Sequence, residues 1–142
     1  MAELPLVDEH EVEVDASPAA VWAALARVLD GFGRPPAAAY ARLVGCRPVA
    51  VSGPRPLAVG SEIPGFRVTE SRPSELLVLE GRHRFSTYAL TFRFDGRRLV
   101  AESRAAFPGP HGRAYRLAVV GSGFHARAVR GLLASVARGV SA

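Results

Sequence analysis

The stretch from Gly112 to Val140 constrains the fold of this chain more than any other segment. It follows Pro108 and Pro110, which cannot sit inside a helix but are well tolerated just before one. At about 100° per residue, arginines occupy one face of the stretch and aliphatic side chains the other. We therefore expect one long amphipathic C-terminal helix, whose apolar face must be covered by the rest of the chain. Its arginines are Arg113, Arg116, Arg127, Arg130 and Arg138, and its aliphatic residues are Ala118, Val129, Leu132, Leu133, Val136 and Val140.

Near the N-terminus the pattern predicts a strand followed by two helices. The strand is indicated by residues 9–15, where four acidic side chains alternate with His10, Val12 and Val14. Ser17 is a favourable N-cap, and the next residue is a proline, which suits the first helical position. A helix is therefore expected to run to about Asp30, where a glycine closes it. The second, shorter helix is expected over Ala37 to Val44.

The middle of the chain predicts a meander of antiparallel strands. They are expected at Val49 to Ser52, Ser61 to Ser71, Glu75 to Arg82, Arg84 to Asp95 and Arg97 to Phe107. Pro64 and Gly65 break the second of these, and splitting it would give a seventh strand. Short connections imply antiparallel neighbours, and in the last two strands one face is apolar while the other is polar. The sequence thus predicts an α+β domain whose sheet is covered by the C-terminal helix.

The segment from Glu11 to Trp22 resembles a known superfamily. It is a strand that leads through a small-residue and proline turn into a helix bearing Val-Trp. This phrase and the order of elements are similar to the START/Bet v 1-like (SRPBCC) superfamily, in its bacterial polyketide cyclase/dehydrase-like branch. The resemblance covers residues 1–142 as a single domain. It implies a helix-grip fold, in which a strongly curved antiparallel sheet of six or seven strands wraps around a long C-terminal helix.

The resemblance also implies a deep cavity between the sheet and the long helix. Relatives use such a cavity for apolar or amphipathic small molecules such as lipids, polyketides, sterols and quinones. The motif itself is structural, because it caps and anchors the first helix, and a fold does not fix a function. The specific ligand therefore stays open at this point.

His125 is the leading candidate for chemistry, because the helical wheel turns it toward the sheet. Its imidazole can hydrogen-bond a ligand carbonyl or act as a general acid or base, and the alternative is a core histidine paired with a backbone carbonyl or with Tyr88. Tyr88 offers a phenol, or is a core residue with a satisfied hydroxyl. His83 is expected near the cavity mouth, with a solvated turn residue as the alternative, and His10 at the rim. Further predicted ligand contacts are Leu90, Phe92, Ser103, Gly121, Ser122 and Val129.

Several chemistries lack the residues they need. The chain has one cysteine, Cys46, and four histidines without ligand spacing, so we expect no metal and no internal disulfide. It contains no lysine for a Schiff base and no glycine-rich phosphate loop, so no cofactor is expected. Gly121-Ser122-Gly123 lacks the context of a nucleophile elbow. Glu80 and Glu102 are expected to form cross-strand surface pairs with arginines.

Three functions remain open on the sequence. The leading hypothesis is a non-enzymatic binder of a small apolar or amphipathic molecule. The first alternative is an aromatase/cyclase- or dehydratase-type enzyme that uses His125 and Tyr88. The second is an interaction module that binds anionic lipid or nucleic acid through the arginine face, for which a solvated helix face is the simpler explanation.

Compartment and partners follow from composition. The N-terminus lacks the features of a signal peptide, and no apolar run approaches the roughly 20 residues of a membrane span, so a cytoplasmic protein without integral membrane association is expected. The net charge of +5 is weak support for nucleic acid, which is not an expected partner. A monomer and a homodimer are equally compatible with the sequence.

Overall fold

A computed structural model describes residues 4–31, 42–46, 52–53 and 58–141. Its strands are β1 (Leu6–Glu13), β2 (Glu62–Ile63), β3 (Phe66–Arg72), β4 (Leu76–His83), β5 (Ser86–Phe94) and β6 (Arg98–Ala106). Its helices are α1 (Pro18–Asp30), α2 (Gly109–Arg116) and α3 (Phe124–Ser141), and a π-helical turn at Leu117–Gly121 joins the last two.

The six strands form one antiparallel sheet in the order β1-β6-β5-β4-β3-β2. The first and last strands are therefore neighbours, although about a hundred residues separate them in sequence. The predicted strand Ser61 to Ser71 is divided at Pro64 and Gly65 into β2 and β3, as the breaking residues indicated, and the described residues form six strands. Of the predicted strand Val49 to Ser52, Ser52 forms a bridge to Glu62, and its other residues lie outside the described ranges.

Helix α1 has the predicted boundaries because its start is encoded locally. The Ser17 side chain accepts a hydrogen bond from the Ala20 amide at 3.2 Å, which satisfies one of the free donors of the first turn. Its apolar stripe consists of Val21, Ala24, Leu25 and Leu29, which are buried against the sheet and α3. The predicted helix Ala37 to Val44 falls mostly outside the described residues. The chain is described again from residue 42 and turns at Gly45, where φ is +72°.

The prediction of one uninterrupted C-terminal helix is wrong. Helix α2 ends at Arg116, the π-helical turn follows, and the chain turns at Gly123 with φ +82°, a left-handed conformation that favours glycine. The Ser122 hydroxyl donates to the Ala118 carbonyl and accepts from the Phe124 amide, so side-chain hydrogen bonds support the break. A wheel of fixed period cannot detect a change of pitch, and the predicted single arc of arginines is therefore divided between α2 and α3.

The core lies between the sheet and the two longer helices. Leu29 of α1, Phe92 and Leu99 of the sheet, and Leu133 and Val136 of α3 are all at most 2% exposed. A methyl group on Gly139 would lie 3.4 Å from the Ala24 side chain, so α3 and α1 approach closely near their C-terminal and central parts. Helix α3 thus covers the apolar face of the sheet, as the pattern predicted.

Candidate functional site

An irregularity in β1 lies just before Asp8. The register shifts between Leu6 and Asp8, so that Leu6 pairs with Arg104 while Asp8 pairs with Ser103. From Asp8 to Glu13 the pairing is regular, and successive side chains alternate between the two faces of the sheet. The acidic residues Glu9, Glu11 and Glu13 are exposed on the outer face of β1, whereas Asp8 and His10 are partly buried. Within β1, Asp8 is the one carboxylate that faces inward.

Asp8 lies between two imidazoles. Its Oδ2 atom is hydrogen-bonded to Nε2 of His10 at 3.1 Å, and its Oδ1 atom lies 3.4 Å from Nε2 of His125. The second contact has the distance of an ion pair when the imidazole is protonated. His125 is the second residue of α3 and follows the left-handed Gly123, so the break in the helix helps to direct its ring toward β1.

Three polar atoms in this region are buried without a hydrogen bond from the described part of the chain. They are Oδ1 of Asp8, Nε2 of His125 and Oγ of Ser103, whose side chain is 5% exposed. Oδ1 of Asp8 and Nε2 of His125 lie 3.4 Å apart, at ion-pair distance, whereas the Ser103 hydroxyl has no polar partner among the described residues. Burying such a hydroxyl costs about 1–3 kcal/mol, which a fold selected for stability alone would avoid. We name Asp8, His10, Ser103 and His125 the polar cluster. It can offer a hydroxyl, two imidazoles and a carboxylate to one guest.

Sequence reasoning found half of this cluster. It selected His125 and Ser103, but it expected a backbone carbonyl or Tyr88 as the partner of His125, and the structure supplies Asp8 instead. It placed His10 at the rim, and in the structure the His10 side chain is 15% exposed and contacts Asp8. Asp8 was hidden in an acidic run. Its even number, shared with the inward positions 10 and 12, was the signal that would have singled it out.

Tyr88 and His83 make their contacts away from the polar cluster. The Tyr88 hydroxyl donates to the Gly65 carbonyl in the turn between β2 and β3, and it lies 3.7 Å from the sulfur of Cys46. It therefore points away from β1 and His125. The His83 ring packs 4.7 Å from the Tyr115 ring, and its Nδ1 accepts from the Phe85 amide. Burial lowers the pKa of His83, and burial also raises the pKa of the Cys46 thiol against the opposing effect of the Tyr88 hydrogen bond.

The remaining predicted contacts divide between the core and the surface. Leu90, Phe92 and Val129 belong to one packed apolar cluster, in which Phe92 is fully buried. Gly121 and Ser122 are exposed on the π-helical turn and just after it. The structure thus brings Ser103 and His125 together through Asp8, and it separates them from Tyr88, His83 and Ser122.

The space between the sheet and the C-terminal part of α3 is occupied by side chains. Val129, Leu133 and Val136 pack there against Phe92 and Leu99. A mainly apolar cleft of about 260 Å³ opens elsewhere, between α1 and the turn before β4. It is lined by Ala19, Trp22, Ala23, Leu25, Ala26, Pro73, Ser74 and Leu77. The polar cluster lies outside this packed region, at the N-terminal end of α3.

The outer face of the sheet carries paired charges. Glu102 accepts from Arg93 at 2.8 Å and from Arg104 at 2.5 Å, and these two side-chain hydrogen bonds hold the pKa of the Glu102 carboxyl below its usual value. The prediction of cross-strand surface pairing is confirmed for Glu102. Among the described residues, no three histidine, cysteine or acidic side chains are grouped to hold a metal ion, and no helix there is long and apolar enough to cross a membrane.

Comparison with solved structures identifies the fold. The Mll3558 protein from Rhizobium loti matches with a TM-score of 0.52 and 18% identity over 93% of this chain and 94% of its own. MLL2253 from Mesorhizobium loti matches with a TM-score of 0.53 and 15% identity over 94% and 96%. The di-domain ARO/CYC BexL from the BE-7585A biosynthetic pathway matches with a TM-score of 0.59 and 11% identity. This chain has the helix-grip fold.

The extent of these likenesses limits what they show. No protein-family profile matches the sequence, and no curated protein has a similar sequence. The alignment with BexL covers 95% of this chain but only 50% of the di-domain protein. At such low identity the helix-grip neighbours establish the fold alone, and the polar cluster has to be interpreted from its own geometry.

Proposed function

We propose that this protein binds a small amphipathic molecule whose polar group is held by the polar cluster, between β1, β6 and the N-terminal end of α3. The observation that carries the proposal is the convergence of three polar groups: the Asp8–His125 pair and the buried Ser103 hydroxyl, to which the described residues offer no hydrogen bond. A ligand hydroxyl or carbonyl would satisfy them and recover part of the cost of their burial. The surrounding sheet face is apolar, which suits the rest of such a ligand.

The helix-grip fold supports this proposal in general terms. BexL is an ARO/CYC protein by its description, so a neighbour of this fold acts in a biosynthetic pathway. Asp8 and Ser103 are cross-strand partners, and His125 reaches the same place from α3. Groups held on rigid elements in this way are positioned to select one polar group of a ligand and to leave its apolar body unselected.

A matched pair of ligands tests the proposal. Naphthol and naphthalene share an apolar body and differ by one hydroxyl, and their intrinsic fluorescence reports binding to the purified protein. We expect naphthol to bind about 10-fold to 100-fold more tightly, the range of a hydrogen bond to a charged group. Equal affinity for the two, or binding of neither, would contradict the proposed role of the cluster.

Two variants assign the preference to the cluster. Ser103→Ala and His125→Phe should each reduce the preference for naphthol while leaving naphthalene binding unchanged. Ser86→Ala is the matched control, because Ser86 is also buried on the sheet but its hydroxyl donates to the Thr87 carbonyl. A preference that survives both cluster variants, or that falls equally in the control, would count against the assignment.

Proton transfer is a second candidate function, favoured by the position of Asp8 between two imidazoles. A carboxylate that contacts His10 and His125 orients both rings, the arrangement that general acid-base catalysis uses. Tetralone, a ketone of similar shape, tests it by exchange of the hydrogens beside its carbonyl in deuterated water, followed by NMR. We expect exchange faster than in buffer, and slowed in Asp8→Asn. An exchange rate equal to that of Asp8→Asn would remove the catalytic candidate and leave the binding proposal standing.

A further inference from the structure

The junction of α2 and α3 exposes two large apolar side chains. Leu117 is 73% exposed at the start of the π-helical turn, and Phe124 is 61% exposed at the start of α3. They lie within one segment of eight residues, on either side of the break at Gly123. Single exposed apolar residues are ordinary on a protein surface, but two on one short segment indicate a surface that is covered in use.

Arginines flank both apolar residues. Arg113 precedes Leu117 by four positions and Arg127 follows Phe124 by three, spacings that place side chains on the same side of a helix. Arg116 directly precedes Leu117. Its guanidinium lies 5.8 Å from the centre of the Phe107 ring, and this contact does not neutralise its charge. We name Arg113, Arg116, Leu117, Phe124 and Arg127 the junction surface.

No carboxylate neutralises these arginines within the described residues. The sequence has none after Glu102, and the ion pairs of the described chain involve arginines of the sheet instead. Asp8 approaches this region, but it is held between His10 and His125. The junction surface is therefore both cationic and apolar, whereas the outer face of the sheet carries both signs of charge.

We propose that the junction surface docks on an anionic lipid membrane. Arginines supply attraction to lipid head groups, and the exposed leucine and phenylalanine can insert at the boundary of the acyl chains, the combination typical of helices that lie on a membrane. A nucleic acid would use the arginines but has no need of the two apolar side chains, so lipid is the better match. This inference goes beyond the proposed ligand binding and does not depend on it.

Sedimentation with vesicles tests the docking surface. We expect the full chain to bind vesicles that contain phosphatidylglycerol and not to bind vesicles of pure phosphatidylcholine. It should dissociate from the anionic vesicles as the salt concentration is raised. Phe124→Ser should weaken binding by about 10-fold or more, because it removes the aromatic side chain that inserts into the membrane. Arg113→Gln together with Arg127→Gln should weaken it by about 25-fold, since each arginine near an anionic surface contributes about fivefold.

Matched controls come from the sheet. Leu6→Ser alters an exposed apolar residue of β1, and Arg97→Gln with Arg98→Gln removes two exposed arginines next to Glu11 and Glu13. Both controls should bind vesicles as the unmodified chain does. All altered side chains are exposed, so thermal unfolding should stay unchanged and exclude misfolding as the cause of weaker binding.

Three outcomes would overturn the proposal. The first is equal binding to anionic and neutral vesicles, the second is no binding to either, and the third is binding to duplex DNA that needs the arginines but not Phe124. The proposed ligand site is tested separately, because Ser103→Ala should leave vesicle binding unchanged and Phe124→Ser should leave the preference for naphthol unchanged.

Discussion

The inner face of the sheet has two halves that are built from opposite kinds of residue. Under the C-terminal part of α3, Phe92, Leu99, Leu133 and Val136 are almost fully buried and pack against one another. Under its first turn, the polar cluster holds the Asp8–His125 pair and the buried Ser103 hydroxyl, which has no hydrogen bond among the described residues. The first half stabilises the fold. In the second half, the unsatisfied Ser103 hydroxyl opposes stability, which favours a functional explanation for it.

The largest effect is expected in the apolar half. Leu133→Ala removes a side chain that is 2% exposed and leaves a cavity between α3 and the sheet. The free energy of unfolding should fall by about 2–5 kcal/mol in urea titration, the range for a buried leucine. A loss no greater than that of an exposed substitution such as Leu6→Ala would show that this half is loosely packed, and the contrast between the two halves would fail.

An intermediate effect is expected for Glu102, which neighbours Ser103 in β6 but faces outward. Its folded-state pKa is lowered by the hydrogen bonds from Arg93 and Arg104, so its contribution is present above its ordinary value of 4.5 and is lost as the pH falls through the folded-state pKa. Glu102→Gln should cost roughly 1 kcal/mol at neutral pH. Urea titration across the acid range should show a smaller loss of stability in the variant than in the unmodified chain. Parallel curves would contradict this assignment.

The smallest effect on stability is expected for Ser103→Ala. Removing a buried hydroxyl without a protein partner removes its desolvation cost, so the unfolding free energy should stay within about 0.5 kcal/mol of the unmodified value or rise. The same variant should lose the preference for naphthol. Thermal unfolding measures the first effect. A clear loss of stability would mean that the Ser103 hydroxyl supports the fold, and it would weaken the functional interpretation of the cluster.

Together these substitutions compare three kinds of residue on neighbouring elements. Leu133 packs in the apolar core, and Glu102 is hydrogen-bonded to two arginines. The Ser103 hydroxyl has no hydrogen bond among the described residues. Stability and ligand selectivity should therefore separate, with Leu133→Ala altering chiefly the first and Ser103→Ala chiefly the second. A protein in which both properties changed together at all three positions would have no distinct site on this face.

The sequence alone determined the elements whose signals are local. Helix α1 begins at Pro18 and ends at Asp30 as predicted, because local residues mark each end. Ser17 and Pro18 mark the start, and Gly31 follows the last residue. The strands from β4 to β6 were placed to within about two residues, because alternation and turn residues encode them directly. The α+β class followed from their order, and the helix-grip fold was implied by the resemblance that this order and the segment from Glu11 to Trp22 carry.

Only the tertiary structure decided the site. The bulge in β1 lies just before Asp8, and the pairing of β1 with β6 places Asp8 opposite Ser103, far away in sequence. The π-helical turn and Gly123 then set where His125 meets them and which side chains the junction surface exposes. Neither a bulge nor a change of helical pitch alters the composition or periodicity of a segment enough to be recognised. Both depend on contacts between distant parts of the chain, and those contacts exist only once the sheet and α3 are assembled.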